Sequence, residues 1–172
     1  MNNFDWDENE RPRAYLITFR TYGTWLHGDE RGAIDRHGQN AYGSPRVAVN
    51  RKLEAIMNGN QSAGAIILSG QQREVVAAAI NETCDLRNYS LYALNVRTNH
   101  GHIVSASLDR PEKMLNAFKA NATRALRNAG LVGDEKVWAR CGSTRYLWKP
   151  SHVNGAIDYV LYGQGDDLPP HW

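Results

Sequence analysis

Cysteine is nearly absent from this chain: Cys84 and Cys141 are the only two among 172 residues. They stand far apart and in no metal-binding spacing, which excludes a disulfide scaffold and a thiolate zinc site. No apolar run is long enough to cross a bilayer. The first residues, MNNFDWDENERPR, lack the basic-then-apolar layout of a secretory leader. Internal repeats and low-complexity segments are also missing. These absences lead us to expect a reduced, cytoplasmic setting and no membrane partner. What remains is ordinary for a globular protein: 42% apolar residues, 22% charged residues and a net charge of +2. A chain of this length is most simply one domain with a sizeable core.

Charge is unevenly spread. Asp5, Asp7, Glu8 and Glu10 crowd an acidic stretch that we read as a flexible tail over residues 1–13. Arg110, Lys113, Lys119, Arg124 and Arg127 are opposed by Glu112 alone, and no acid falls between Lys136 and Lys149. Such basic stretches suit a polyanion partner or a plain solvated surface.

Residues 14–22, AYLITFRTY, are rich in β-branched and aromatic types and predict a strand. A long irregular insertion over about 23–64 follows, with a short helix near Arg51 to Met57. Residues 71–87 have helical apolar spacing behind an N-cap at Ser69. SLYALNVRT and HIVSASL predict two strands joined tightly through Asn99, His100 and Gly101. A second helix runs from Pro111 to Ala129, with capping-box spacing at Asp109 and Glu112 and Gly130 closing it. RYLW at 145–148 predicts a fourth strand, and residues 151–162 a third helix capped by Ser151. This order predicts an α+β fold, one antiparallel sheet with helices mainly on one face.

The run RTNHGHIVSA carries His100 and His102 two residues apart. On a strand, i and i+2 share a face, so two imidazoles would meet one ion. Spacing alone is a modest signal, because such pairs also arise by chance on exposed loops. Tyr159 lies on the third predicted helix. Tyrosine is a poor nucleophile at neutral pH, and a divalent cation can compensate by stabilising charge on the attacking oxygen. A tyrosine on an amphipathic helix can equally well pack with its hydroxyl at the rim.

NHGHIV resembles the histidine–hydrophobic–histidine motif of the single-tyrosine HUH transposases, and AIDYVLYGQG resembles the helix that carries their nucleophile. YLITFRTYGTWLHGDERG and GSTRYLW, together with the last block, are similar to the insertion-sequence-200-like transposase domain and its REP-associated tyrosine transposase relatives. The likeness spans residues 14–165, leaving 166–172 as a tail. It implies a ferredoxin-like sheet and cleavage of single-stranded DNA, often beside a hairpin, through a 5′-phosphotyrosine. It also implies a Mg²⁺ or Mn²⁺ cofactor, a DNA-associated location, and a monomer or homodimer. Under that resemblance His100 and His102 match the metal ligands, Tyr159 the nucleophile, and Gln164 is available as a third ligand.

Two features depart from the family pattern. Gly101 stands where a bulky apolar residue is usual, removing a core anchor and allowing a bent or bulged strand start. Gln164 lies at i+5 from Tyr159, about 140° round an ideal helix, so the helix must end near Gly163 to swing it back. Two imidazoles also hold Mn²⁺ or Zn²⁺ more readily than Mg²⁺. Lys113, Lys119, Arg124, Arg127 and Arg145 are candidate phosphate contacts, and Trp148 a candidate base-stacking ring. Besides nicking and strand transfer, two readings stay open. One is an inactive or domesticated single-stranded nucleic-acid-binding module. The other is a hydrolase in which water attacks and Tyr159 packs.

Overall fold

The computed structural model describes residues 11–24 and 64–164. Most of the acidic N-terminal stretch, most of the 23–64 insertion with its expected helix and His27, and the tail beyond Gln164 lie outside the described residues. The elements are β1 (Ala14–Thr21), α1 (Gly70–Arg87), β2 (Ser90–Val96), β3 (His100–Ala106), α2 (Pro111–Asn128), β4 (Trp138–Leu147) and α3 (Pro150–Tyr162). The strands form one antiparallel sheet in the order β2-β3-β1-β4. The architecture is α+β, consistent with a ferredoxin-like fold. Among the described residues no helix is long and apolar enough to cross a membrane.

The side-chain alternation of β1 divides the core in two. Tyr15, Ile17 and Phe19 point to the face covered by α1 and α2, where they meet Val76, Ile80, Leu115 and Phe118. Ala14 and Leu16 point to the opposite face, where Val104, Leu147, Ala156 and Val160 complete a smaller core under α3. Two helices therefore cover one face and a single helix part of the other.

Several helix and strand ends differ from the sequence expectation. Ser69 does cap α1, in a reciprocal capping box with Gln72. Asp109 does not cap α2; Arg110 holds that position, while Asp109 accepts from Tyr89 Oη at 2.7 Å and from Lys113 Nζ at 2.8 Å. Lys149, not Ser151, occupies the N-cap of α3, with Pro150 in the first turn, where a missing N–H is harmless. β4 is ten residues long rather than four. Its small residues, and a register shift against β1 between Phe19 and Thr21, hide it from a search for alternating apolar residues.

Gly101 has a direct packing explanation. It is buried and pairs across the ladder with Phe19. A Cβ on Gly101 would lie 2.9 Å from Phe19 Cζ, so the fully buried Phe19 ring fills the space where a side chain at 101 would stand. Trp138 holds that ring edge-on, with centroids 4.9 Å apart and planes at 89°. The β1–β3 register is continuous through this point, so the expected bend or bulge at Gly101 is replaced by an exchange of volume between neighbouring strands. Gly101→Ala is expected to destabilise the fold by about 1–3 kcal/mol through overpacking. Phe19→Leu in the same chain should recover part of that loss, as denaturant unfolding of the three variants would measure.

Candidate active site

The β1–β3 register places both histidines on the α3 side of the sheet, with His100 opposite Arg20 and His102 opposite Thr18. β2 adds Asn95 opposite His102, and β4 adds Ser143 opposite Thr18. Asn95, His102, Thr18 and Ser143 thus make a polar row across all four strands. One register step away, Ala93, Val104 and Leu16 form an apolar row that ends at Arg145. The polar row lies beside the C-terminal end of α3, where Asn95 Nδ2 donates to the Val160 carbonyl at 2.9 Å. Asn95 and Thr18 escaped the sequence reading, and Asn99 entered it only as part of a turn. The one signal for Thr18 was a hydroxyl following Ala14 and Leu16 on an apolar strand face.

His100 and His102 meet edge to face, with centroids 4.7 Å apart, and the Tyr159 ring stands 5.4 Å from that of His102. The end of α3 brings Gln164 to the same place. Gly163 N–H donates to the Tyr159 carbonyl at 3.0 Å, and the chain leaves the helix there. Gln164 Nε2 then donates to that same carbonyl at 3.0 Å, which turns Oε1 to 3.3 Å from His100 Nε2. The structure thus brings together His100, His102, Tyr159 and Gln164, despite the i+5 spacing.

The donor set can be read from its hydrogen bonds. Asn99 Oδ1 lies 2.6 Å from His100 Nδ1, and a carbonyl oxygen only accepts, so Nδ1 carries the proton. In the neutral ring His100 Nε2 then presents its lone pair on the side of Gln164 Oε1. With Nε2 protonated this contact is a hydrogen bond; with Nε2 bare, both atoms can turn lone pairs to a cation. His102 Nδ1 lies 2.7 Å from Thr18 Oγ1, leaving Nε2 for its interaction with the Gln164 side chain. Burial above all, with the nearby His100, lowers the His102 pKa to about 3, while Gln164 opposes the shift. His102 is consequently neutral at pH 7, as a metal-binding imidazole must be. Two imidazole nitrogens and an amide oxygen suit a divalent cation of the Mn²⁺ or Zn²⁺ type. Among the described residues no group of three or more His, Cys, Asp or Glu could do so.

The basic residues are placed differently from expectation. α2 packs on the far face of the sheet, so Lys113, Lys119, Arg124 and Arg127 do not share the face of the histidines. Lys119 is not a surface cation at all. It is buried, and its ammonium donates to the Ala139 carbonyl at 2.8 Å and the Cys141 carbonyl at 3.2 Å, satisfying the irregular stretch of β4. Its expected role as a phosphate contact gives way to that structural one. Lys113 pairs with Asp109, Arg124 bonds Asn121, and Arg127 reaches the Gly133 carbonyl at 3.0 Å. Arg145 does lie on the histidine side, across from Leu16. Trp148 does not accompany it: it stacks on Tyr146, which faces the α1–α2 side against Tyr15. Arg20, opposite His100, is the cation that sequence reasoning missed.

Two outcomes follow. Because the unfolded His102 titrates near ~6.5 and the folded one near 3, the unfolded chain binds the extra proton between those values. Stability therefore falls with acid across that window, by about 2 kcal/mol from pH 7 to pH 5. Urea unfolding of the metal-free protein should show this, and His102→Asn should flatten it. Lys119→Met should cost about 1–3 kcal/mol in stability by removing the donor to two partly buried carbonyls. It should leave the salt dependence of any DNA binding unchanged, as fluorescence anisotropy would report.

No family model and no curated protein matches the chain. Among solved structures, the chain is similar to a REP-associated tyrosine transposase bound to a REP hairpin, at 12% sequence identity and a TM-score of 0.47. That alignment covers 86% of this chain, which spans 63% of the length of the other.

Proposed function

We propose that this chain nicks single-stranded DNA and transfers the cut strand, with Tyr159 as nucleophile and a divalent metal ion as cofactor. The observation that carries this reading is the convergence of His100, His102 and Gln164 beside Tyr159, from two elements far apart in sequence. The motif resemblance in NHGHIV and AIDYVLYGQG supplies the reaction class, and with it a hairpin-associated DNA site.

His100 and His102 would hold the ion through ring nitrogens and Gln164 through Oε1. When bound, such an ion supplies positive charge to the phosphoryl oxygens and to the oxygen that attacks. Tyr159 Oη attacks phosphorus and gives up its proton to solvent. The P–O3′ bond breaks, and the leaving 3′ oxygen takes up a proton. The 5′-phosphate remains on Tyr159 as a diester, so its energy is kept for rejoining and no nucleotide cofactor is required. Arg20 and Arg145, on the same face, supply positive charge for the strand.

The test is incubation with labelled single-stranded DNA containing candidate hairpins and Mn²⁺, followed by denaturing electrophoresis. A protein–DNA adduct is expected with the wild type and none with Tyr159→Phe. His102→Ala should lower adduct yield at least about tenfold, in line with losing a metal ligand. Mn²⁺ should support the reaction better than Mg²⁺, and excess Zn²⁺ should suppress it. Cleavage without an adduct would indicate water as nucleophile, and binding without either a non-catalytic module.

A further inference from the structure

We propose that Trp148 and Tyr146 form a second contact for single-stranded DNA, a ledge on which one unpaired base stacks, on the face of the sheet opposite the histidines. Three observations carry it. The Tyr146 and Trp148 rings are stacked, with centroids 6.1 Å apart and planes at 16°. Tyr15, the direct partner of Tyr146 in the β1–β4 register, buttresses it edge-on at 5.2 Å and 86°. The ledge is therefore built on paired strands, with buried Tyr15 at its inner end and Trp148, 37% exposed, at its outer end. The third observation is a cationic rim. Arg11 lies within electrostatic reach of Tyr15, and Arg110 of Tyr146. Lys149 adjoins Trp148, and Arg13 N–H donates to the Leu147 carbonyl at 2.9 Å, which brings it to the end of β4. All four cations are exposed. Glu112, the acid that reaches both tyrosine rings, accepts from Thr144 Oγ1 at 2.9 Å.

Trp148 belongs to neither core, so burial under the helices does not account for it. A ring stack that is open at one end can be continued by another flat ring, and every unpaired base offers one. Bases inside a duplex have already given both faces to their neighbours, so the ledge selects single strands. Cations at the rim suit the phosphates that flank a stacked base and add affinity without sequence choice. The ledge is also within reach of the histidine side. β4 is an edge strand, and Arg145 on the histidine side precedes Trp148 by three residues, about 10 Å of extended chain. A strand that passes Arg145 reaches Trp148 by rounding that edge.

The ledge rests on the DNA-binding part of the function proposed above and is independent of cleavage. Fluorescence anisotropy with a labelled single-stranded oligonucleotide, without divalent ions, measures it. Trp148→Ala should weaken binding about 5–100-fold, and Trp148→Phe should retain most of it. A strand of the same length made of abasic sites should bind the wild type and Trp148→Ala alike, because only phosphate contacts are left. Photo-cross-linking with a strand carrying 5-iodouracil, mapped by mass spectrometry, should place an adduct on Trp148 or Tyr146. That readout uses the wild type and decides the matter even if Trp148→Ala does not fold. Equal losses on the normal and abasic strands would overturn the proposal, as would wild-type affinity in Trp148→Ala, adducts on other residues only, or no binding of single strands by the wild type. A protein that cross-links at the ledge but forms no phosphotyrosine keeps this inference and loses the transposase reading; a phosphotyrosine without contact at the ledge does the reverse.

Discussion

The pairing of β1 with β3 is the constraint on which the rest of the site depends. Side chains alternate along a strand, so a slip of one residue would carry both histidines to the α1–α2 face and into an apolar core. The register is favoured where Phe19 lies over Gly101, the one position of β3 without a side chain. Ile17 opposite Ile103 and Leu16 opposite Val104 add apolar pairs on both faces. The glycine between the histidines is thus a register lock whose effect is felt on the other side of the sheet.

The two faces serve different purposes. Two helices and the aromatic residues of β1 make the larger core, and even a lysine there is used internally, to satisfy the carbonyls of β4. The other face has one helix, whose buried residues Ala156 and Val160 cover only the apolar end of the strands. Beyond it the strands turn polar, with Thr18, Ser143, Asn95 and the histidines in adjacent positions. Asn95, reaching the Val160 carbonyl, fixes the height of the helix end over that row and with it the position of Tyr159.

Much of this was legible in the sequence because the physics is local. Alternation in AYLITFRTY, helical spacing in the second and third helices, and Ser69 as a cap depend only on near neighbours. So does the shared face of His100 and His102, which follows from strand geometry alone. The relations that sequence could not yield are cross-strand ones. Nothing near Thr18 announces its histidine, eighty-four positions away, or explains why Ser143 stands beside it. Lys119 reads as a surface cation from its helix position because the carbonyls that hold it belong to a strand whose irregularity has no sequence signature. Arg145 and Trp148, three residues apart, are separated by strand alternation that RYLW alone could not assign to either face.

The ligand set proposed for the cation contains no carboxylate: it is two imidazoles and an amide. A divalent ion held by them would keep its whole charge, making a small cationic pocket rather than a neutralised one. The missing negative charge is the kind a phosphodiester carries. In the proposed site, ion and strand would therefore each raise the affinity of the protein for the other by the same factor.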